Sequence, residues 1–158
     1  MYRSFKTLLL ALLISGIAAC GKSRPIPDPD VKYGKGFFNE ETSNQGTWRW
    51  MTNEGVIALK NHKSDMHLMI VGRVPDNQFR ERPKMVIKLN GETLDSFEAP
   101  EGPFRKEYQI KGAQMVEDSW SELRIATDKT FVPKEKDKNS SDERHLGFKL
   151  HELAWDRQ

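Results

Sequence analysis

Hydrophobic and polar residues alternate along most of the chain from Gly34 onward, with a period of two rather than 3.6. No segment holds a helical apolar stripe for three turns, and Gly, Pro, Asn and Asp separate the alternating segments. The predicted strands lie near residues 47–51, 56–59, 66–74, 85–89, 92–97, 104–110, 123–125, 131–132 and 146–150. Short strands at regular spacing with turn signals between them predict an all-β fold, a single antiparallel β-sandwich.

Two local features sharpen this prediction. Asn90-Gly91 separates two alternating segments and predicts a hairpin, because a type I′ turn needs positive φ at both central residues. Near the end of the chain the apolar parity switches, since Leu150 is even whereas Leu153 and Trp155 are odd. A β-bulge near residues 151–152 would return all three side chains to the core.

The first nineteen residues have the layout of a secretory signal peptide. Arg3 and Lys6 form a positive start, residues 8–14 are an unbroken apolar run, and residues 15–19 are mostly small. The apolar run is too short to span a membrane as a helix, which needs about 20 residues.

Ile17-Ala18-Ala19-Cys20 closes this segment and resembles the lipobox of bacterial lipoproteins. The resemblance implies that a diacylglyceryl group is attached to the Cys20 thiol and that the chain is cut before Cys20. The expected partner is therefore a membrane, to which the lipid anchor attaches the protein. Gly21 stands where an aspartate would favour retention in the inner membrane, so the resemblance points to the outer membrane.

Prolines at positions 25, 27 and 29 favour an extended polyproline conformation after the lipidated cysteine. The predicted organisation is a signal peptide at 1–19, a lipidated cysteine with a Pro-rich tether at 20–33, and a β-sandwich domain at 34–158.

Composition excludes several classes of site. Cys20 is the only cysteine and lipidation uses it, so no disulfide, cysteine nucleophile or zinc–cysteine site is expected. Removing Arg3 and Lys6 lowers Lys+Arg from 25 to 23, equal to the 23 Asp+Glu, which argues against a nucleic-acid binder. The four histidines have no ligand spacing, and we expect no metal and no cofactor.

The tryptophans are candidates for ligand binding. Trp48 and Trp50 share one face of a predicted strand, and an exposed pair would make a platform for sugar rings. Arg49 takes the opposite parity, which favours an inward, core position for both tryptophans. Trp120 follows a polar stretch and is the better candidate for exposure, or alternatively a cap on the end of the sandwich. Trp155 is expected to pack.

The charged segment at 131–147 contains Asp142 and Arg144, two residues apart. The structural interpretation, which we favour, has Asp142 bonding loop amides while Arg144 packs across the sheet and pairs with a carboxylate. The functional interpretation is a polar ligand site at the edge of the sandwich.

A set of short motifs also resembles a known module. They are Gly36-Phe37-Phe38, Trp48-Arg49-Trp50, Asn90-Gly91, Phe131-Val132-Pro133 and Ser141-Asp142-Glu143-Arg144-x-Leu146-Gly147. The pattern is similar to jelly-roll domains appended to bacterial glycosyltransferases and other envelope polysaccharide proteins. The resemblance spans about residues 36–155 and implies a jelly-roll, carbohydrate-binding-like fold, here without an attached enzyme domain.

The leading functional hypothesis is a non-catalytic envelope protein that binds polysaccharide or supports its assembly or export. A sheet face with exposed Trp or Tyr and polar neighbours would favour it. The alternative is an adaptor lipoprotein of an envelope protein complex, which an exposed apolar patch or a long open strand edge would favour. A third hypothesis is a hydrolase, which needs two carboxylates facing each other across a cleft.

Overall fold

The computed structural model describes residues 28–44, 46–115 and 119–158. This part of the chain folds into strands with two short helical turns. The strands are β1 (Val31–Tyr33), β2 (Phe37–Ser43), β3 (Gly46–Met51), β4 (Glu54–Lys60), β5 (Met66–Arg73), β6 (Lys84–Leu89), β7 (Glu92–Glu98), β8 (Pro103–Ile110), β9 (Trp120–Thr127) and β10 (Phe148–Arg157). A 3₁₀ turn covers Gly112–Gln114, and a one-turn helix, α1, covers Pro133–Lys136.

The strands form two five-stranded antiparallel sheets. Sheet A has the order β1-β4-β9-β6-β7, and sheet B has the order β2-β3-β10-β5-β8. From β3 to β10 the chain passes back and forth between the sheets, and only the β6–β7 hairpin stays within one. This is the eight-stranded jelly-roll order, with β1 and β2 added at one edge of each sheet. The predicted all-β, jelly-roll-like sandwich is confirmed.

The core lies between the sheets and is built from alternate residues of the strands. Phe148, Met51, Leu68, Ile87 and Ile125 are among the side chains that are fully buried. The side chains between them along each strand point away from the core, so each sheet also presents an outer face. The period of two in the sequence is therefore the signature of one buried and one outer face per strand.

Both predicted local features are present. Asn90 and Gly91 have φ angles of 50° and 87° and join β6 to β7, as a type I′ turn requires. The pairing of β10 with β5 shifts register between Leu150 and Glu152, which places the bulge at His151. Leu150 and Trp155 are consequently both buried, at 1% and 3% exposure.

Two predicted segments differ from the structure. Residues 131–132 form no strand, and a single bridge joins Phe131 to Leu146 because α1 begins directly afterwards. Residues 31–33, expected in the tether, form β1 and pair with β4, since the Val31 side chain is buried in the core.

The predicted signal peptide, the Cys20 lipidation site and most of the predicted tether lie outside the described residues. Within the described ranges, no helix has the length and apolar character needed to cross a membrane.

Candidate ligand-binding face

Trp48 and Trp50 point away from the core, onto the outer face of sheet B. Pairing of β3 with β10 sets Met51 opposite Phe148 and Trp50 opposite Lys149. Met51 and Phe148 are completely buried, so Trp50 and Lys149 must point outward. The favoured prediction of a core position for the two tryptophans is therefore wrong.

The reason lies in the neighbouring Arg49, which points to the inner side at the rim of the sandwich. Its guanidinium carbon lies 4.7 Å from the centre of the Tyr33 ring, and it donates to the Phe38 carbonyl and to Glu40, each at 3.4 Å. An arginine can occupy an inward position where the rim provides acceptors and an aromatic face. The charge of Arg49 therefore does not require the two tryptophans to point into the core.

The two indoles are held side by side. Residues two apart on a strand are separated by about 7 Å. The Lys149 Nζ atom lies 3.6 Å from the centre of the Trp48 ring and 5.5 Å from that of Trp50. The Trp48 indole N–H donates to Glu41 Oε2 at 3.2 Å, and the Phe131 ring packs edge-on against Trp50 at 6.1 Å between centroids. Both rings are half-buried and fixed in orientation by these neighbours.

Lys149 is half-buried between these rings. No ion pair joins its ammonium to a carboxylate within the described ranges, and across the strand pair it lies directly opposite another cation, Arg73. Burial lowers the pKa of Lys149, the charge of Glu41 opposes this shift, and the charge of Arg73 adds to it by a smaller amount.

A cleft of about 350 Å³ opens beside Lys149, lined by Arg73, Pro75, Asp76, Asn77 and Lys149. Asp76 is its one lining carboxylate, and it pairs with Arg73 and accepts the Gly102 backbone N–H at 3.1 Å. The hydrogen bond from Arg73, followed by that from Gly102, lowers the pKa of Asp76. The cleft is thus a polar site with fixed donors and acceptors next to an aromatic surface.

Arg144 fastens the 131–147 segment to sheet B. Its guanidinium donates to both carboxylate oxygens of Asp142, and it pairs with Glu41 of β2 at 2.7 Å. It also lies over the Phe38 ring, 4.9 Å from the centroid. Asp142 Oδ1 accepts the Arg144 backbone N–H at 3.0 Å, so these are the contacts that the structural interpretation predicts. These bonds lower the pKa of Asp142 and raise that of Arg144.

Four of the five predicted ligand residues come together on this side of sheet B. Glu41 connects them, because it accepts from the Trp48 indole and pairs with Arg144, which in turn holds Asp142. Trp120 does not join them. It lies on the outer face of sheet A, where the Lys32 Nζ atom sits 3.8 Å from its ring centre.

Lys149 and Arg73, the two cations that line the cleft, were not among the residues predicted from the sequence. The signal for Lys149 was present, because it alternates with the core residues Phe148 and Leu150. Arg73 could not have been placed beside it, since their pairing depends on the register between β10 and β5.

Two of the four histidines pair with carboxylates in the described part of the chain. His62 lies 2.6 Å from Asp30, and His67 lies 3.0 Å from Glu107. Among the described residues, no three His, Cys, Asp or Glu side chains are grouped so that they could hold a metal ion.

No protein-family model matches the chain, and no curated protein matches it. Several solved structures are similar to it at low sequence identity. The EclA C-terminal domain, a sugar-binding protein, is 12% identical over 89% of this chain and 87% of its own, with a TM-score of 0.43. A family 35 carbohydrate binding module from Clostridium thermocellum is 15% identical over 79% of this chain and 90% of its own, with a TM-score of 0.42. The CBM22-1 xylan-binding domain from Paenibacillus barcinonensis Xyn10C is 11% identical over 80% of this chain and 85% of its own, with a TM-score of 0.45. The jelly-roll fold is identified from the order of the strands and not from the similarity to these three structures.

Proposed function

We propose that this chain is a non-catalytic, lipid-anchored protein of the cell envelope that binds polysaccharide through the outer face of sheet B. One observation carries the proposal: Trp48 and Trp50 lie side by side on that face, with Lys149 between them and a polar cleft alongside.

The arrangement suits the chemistry of a sugar ring. The C–H groups of a pyranose form an apolar surface that packs on an indole face, while its hydroxyls need hydrogen-bond partners. Trp50 and Trp48 offer the apolar ring surface, with the Lys149 ammonium over part of it, 3.6 Å from the centre of the Trp48 ring. Lys149, Asp76 and Asn77 offer polar groups beside the rings. Because neighbouring contacts already fix both indoles, little conformational entropy is lost when a ligand packs on them.

Binding fits this face better than hydrolysis does. Glycoside cleavage uses two carboxyl groups about 5–9.5 Å apart, with the scissile bond between them. Asp76 is the one carboxylate that lines the cleft, and its hydrogen bonds with Arg73 and Gly102 keep it ionised. A carboxylate held in this way is a poor proton donor and a suitable acceptor for sugar hydroxyls.

The edge strands of sheet B favour glycan binding as the function, because they are poorly suited to pairing with a strand of a protein partner. Charged side chains are a common device against edge-to-edge association. Edge strand β8 carries Arg105, Lys106 and Glu107, and edge strand β2 carries Glu40 and Glu41. These charges discourage a partner from adding a strand at either edge of sheet B.

The test is binding of the full chain, purified in detergent, to an array of bacterial envelope polysaccharides. We expect binding to at least one glycan that Trp50→Ala abolishes and that Trp120→Ala leaves unchanged. Trp120 is the matched control, since it is also a half-buried tryptophan beneath a lysine, on the opposite sheet. Absence of glycan binding, with a stoichiometric protein recovered from solubilised envelopes, would overturn the proposal and favour the adaptor.

The anchor is tested separately. We expect the chain to incorporate labelled fatty acid in a bacterial host and to fractionate with outer membranes, and expect Cys20→Ala to lose both properties. A chain that stays in the membrane without label would contradict the proposed lipidation.

A further inference from the structure

The row of side chains across the middle of sheet B has an unusual charge arrangement. Trp50, Lys149 and Arg73 lie opposite one another on three adjacent strands, β3, β10 and β5. Like charges placed directly opposite on paired strands are unfavourable, yet here no carboxylate of the described residues pairs with Lys149.

The carboxylates nearest to this pair of cations also serve other arginines. Asp76 is shared between Arg73 and Arg82, so one carboxylate serves two guanidinium groups. Glu41 lies near Lys149 but forms its ion pair with Arg144, at 2.7 Å. The cleft beside Lys149 therefore carries more positive than negative charge.

His151 lies close to the same two cations. It is half-buried at the bulge of β10, two residues beyond Lys149. Burial lowers the pKa of His151, and the charges of Lys149 and Arg73 lower it further. Lys149 and Arg73 therefore both disfavour a further positive charge at this point of the face.

We infer that the glycan bound by this face is acidic: an anionic oxygen group on the sugar binds between Lys149 and Arg73, while its ring packs on Trp50. This inference rests on the proposed function and narrows it to one ligand class. The anionic group can be the carboxylate of a uronic acid, a phosphate or a sulfate, because each offers oxygens to an ammonium and a guanidinium.

Binding of an anion here has a clear energetic reason. The bound group would offset the repulsion between Lys149 and Arg73 and give Lys149 a direct ion pair, which no carboxylate of the described residues forms with it. Half-burial of Lys149 beside two indoles lowers the local dielectric and strengthens the attraction compared with a fully exposed lysine.

The experiment uses the full chain in detergent and a glycan array in which each acidic glycan has a neutral counterpart. Uronate glycans are paired with their carboxyl-reduced forms, phosphorylated glycans with dephosphorylated forms, and sulfated glycans with desulfated forms. We expect tighter binding to the acidic member of at least one pair, and that pair identifies the anion. Binding to that member should weaken as NaCl is raised from about 0.05 to 0.5 M, because salt screens the attraction.

Two variants locate the anion. Lys149→Met and Arg73→Met should each lower the ratio of acidic-member affinity to neutral-member affinity about tenfold, equivalent to about 1.4 kcal/mol, because only the acidic member offers an anion to these cations. Lys32→Met is the matched control, since Lys32 also lies over a tryptophan, 3.8 Å from the ring centre, on the other sheet. Thermal unfolding of each variant checks that the fold is intact.

The outcomes separate the inference from the proposed function. Equal binding of the acidic and neutral members, abolished by Trp50→Ala and with a ratio that Lys149→Met does not change, overturns the acidic ligand and leaves polysaccharide binding standing. Absence of any glycan binding that depends on Trp50 overturns both.

Discussion

Replacing Arg144 with alanine should destabilise the protein by removing the link between the 131–147 segment and sheet B. The substitution removes two ion pairs, to Asp142 and to Glu41, both at 2.7 Å, and a cation–π contact with Phe38. The three charged side chains are about a third exposed, at 34%, 33% and 26%. We therefore take about 0.5–1 kcal/mol for each ion pair and a similar amount for the ring contact.

The sum is about 2 kcal/mol, which corresponds to a fall in Tm of about 6 °C for a domain of this size. Chemical unfolding in urea at pH 7 measures the free energy directly, and thermal unfolding gives the second estimate. Lys134→Ala is the control, because Lys134 pairs with Glu143 in the same segment but both side chains are well exposed, at 55% and 72%. We expect the control to change stability by less than about 0.5 kcal/mol.

The pH dependence gives an independent check. The hydrogen bond from Arg144 lowers the pKa of Asp142 in the folded state. The contribution of this pair is fully present above the ordinary value of 3.8 and is lost as the pH falls through the lowered pKa. The stability difference between the parent and Arg144→Ala should therefore shrink below pH 3.8. Equal stability of the parent and Arg144→Ala at pH 7, or a stability difference that grows in acid, would refute the conclusion that Arg144 links the 131–147 segment to sheet B.

Three further substitutions test the packing. Gly72→Ala should cost about 2–3 kcal/mol, because an added Cβ would lie 2.1 Å from the Phe148 ring; an unchanged urea midpoint would contradict this packing. Trp155→Phe should cost about 1–2 kcal/mol, since its indole N–H donates to a main-chain carbonyl at 2.8 Å, and a stability equal to the parent's would argue against that bond. Deleting His151 removes the bulge and turns Leu153 and Trp155 to the solvent face, so we expect loss of the cooperative thermal transition, and a native-like transition would show that the bulge is dispensable.

Most of the strands were predictable because burial on one face leaves a parity that is visible in the sequence, but β1 was expected in the tether. Asn90-Gly91 predicted a turn because the turn depends only on these two residues. The bulge at His151 was predictable because an extra residue is the simplest way to bury both Leu150 and Leu153, which differ in parity. Each of these features depends on a few neighbouring residues.

The orientation of the tryptophans was not predictable in this way. Arg49 and Met51 share one face of β3 while Trp48 and Trp50 share the other, so parity alone offers both orientations. The choice depends on the pairing of Met51 with Phe148, a contact between distant parts of the chain. The pairing of Lys149 with Arg73 is equally non-local, which is why the sequence located Asp142 and Arg144 but not the cations beside the cleft.

The central claim is that a glycan packs on Trp48 and Trp50. The chain has four tryptophans and so four indole N–H signals in a ¹⁵N-correlated NMR spectrum. Titrating the full chain in detergent micelles with the glycan selected on the array should shift the signals of Trp48 and Trp50 and leave those of Trp120 and Trp155 in place. Shifts confined to Trp120, or saturable binding that moves none of the four signals, would contradict the claim.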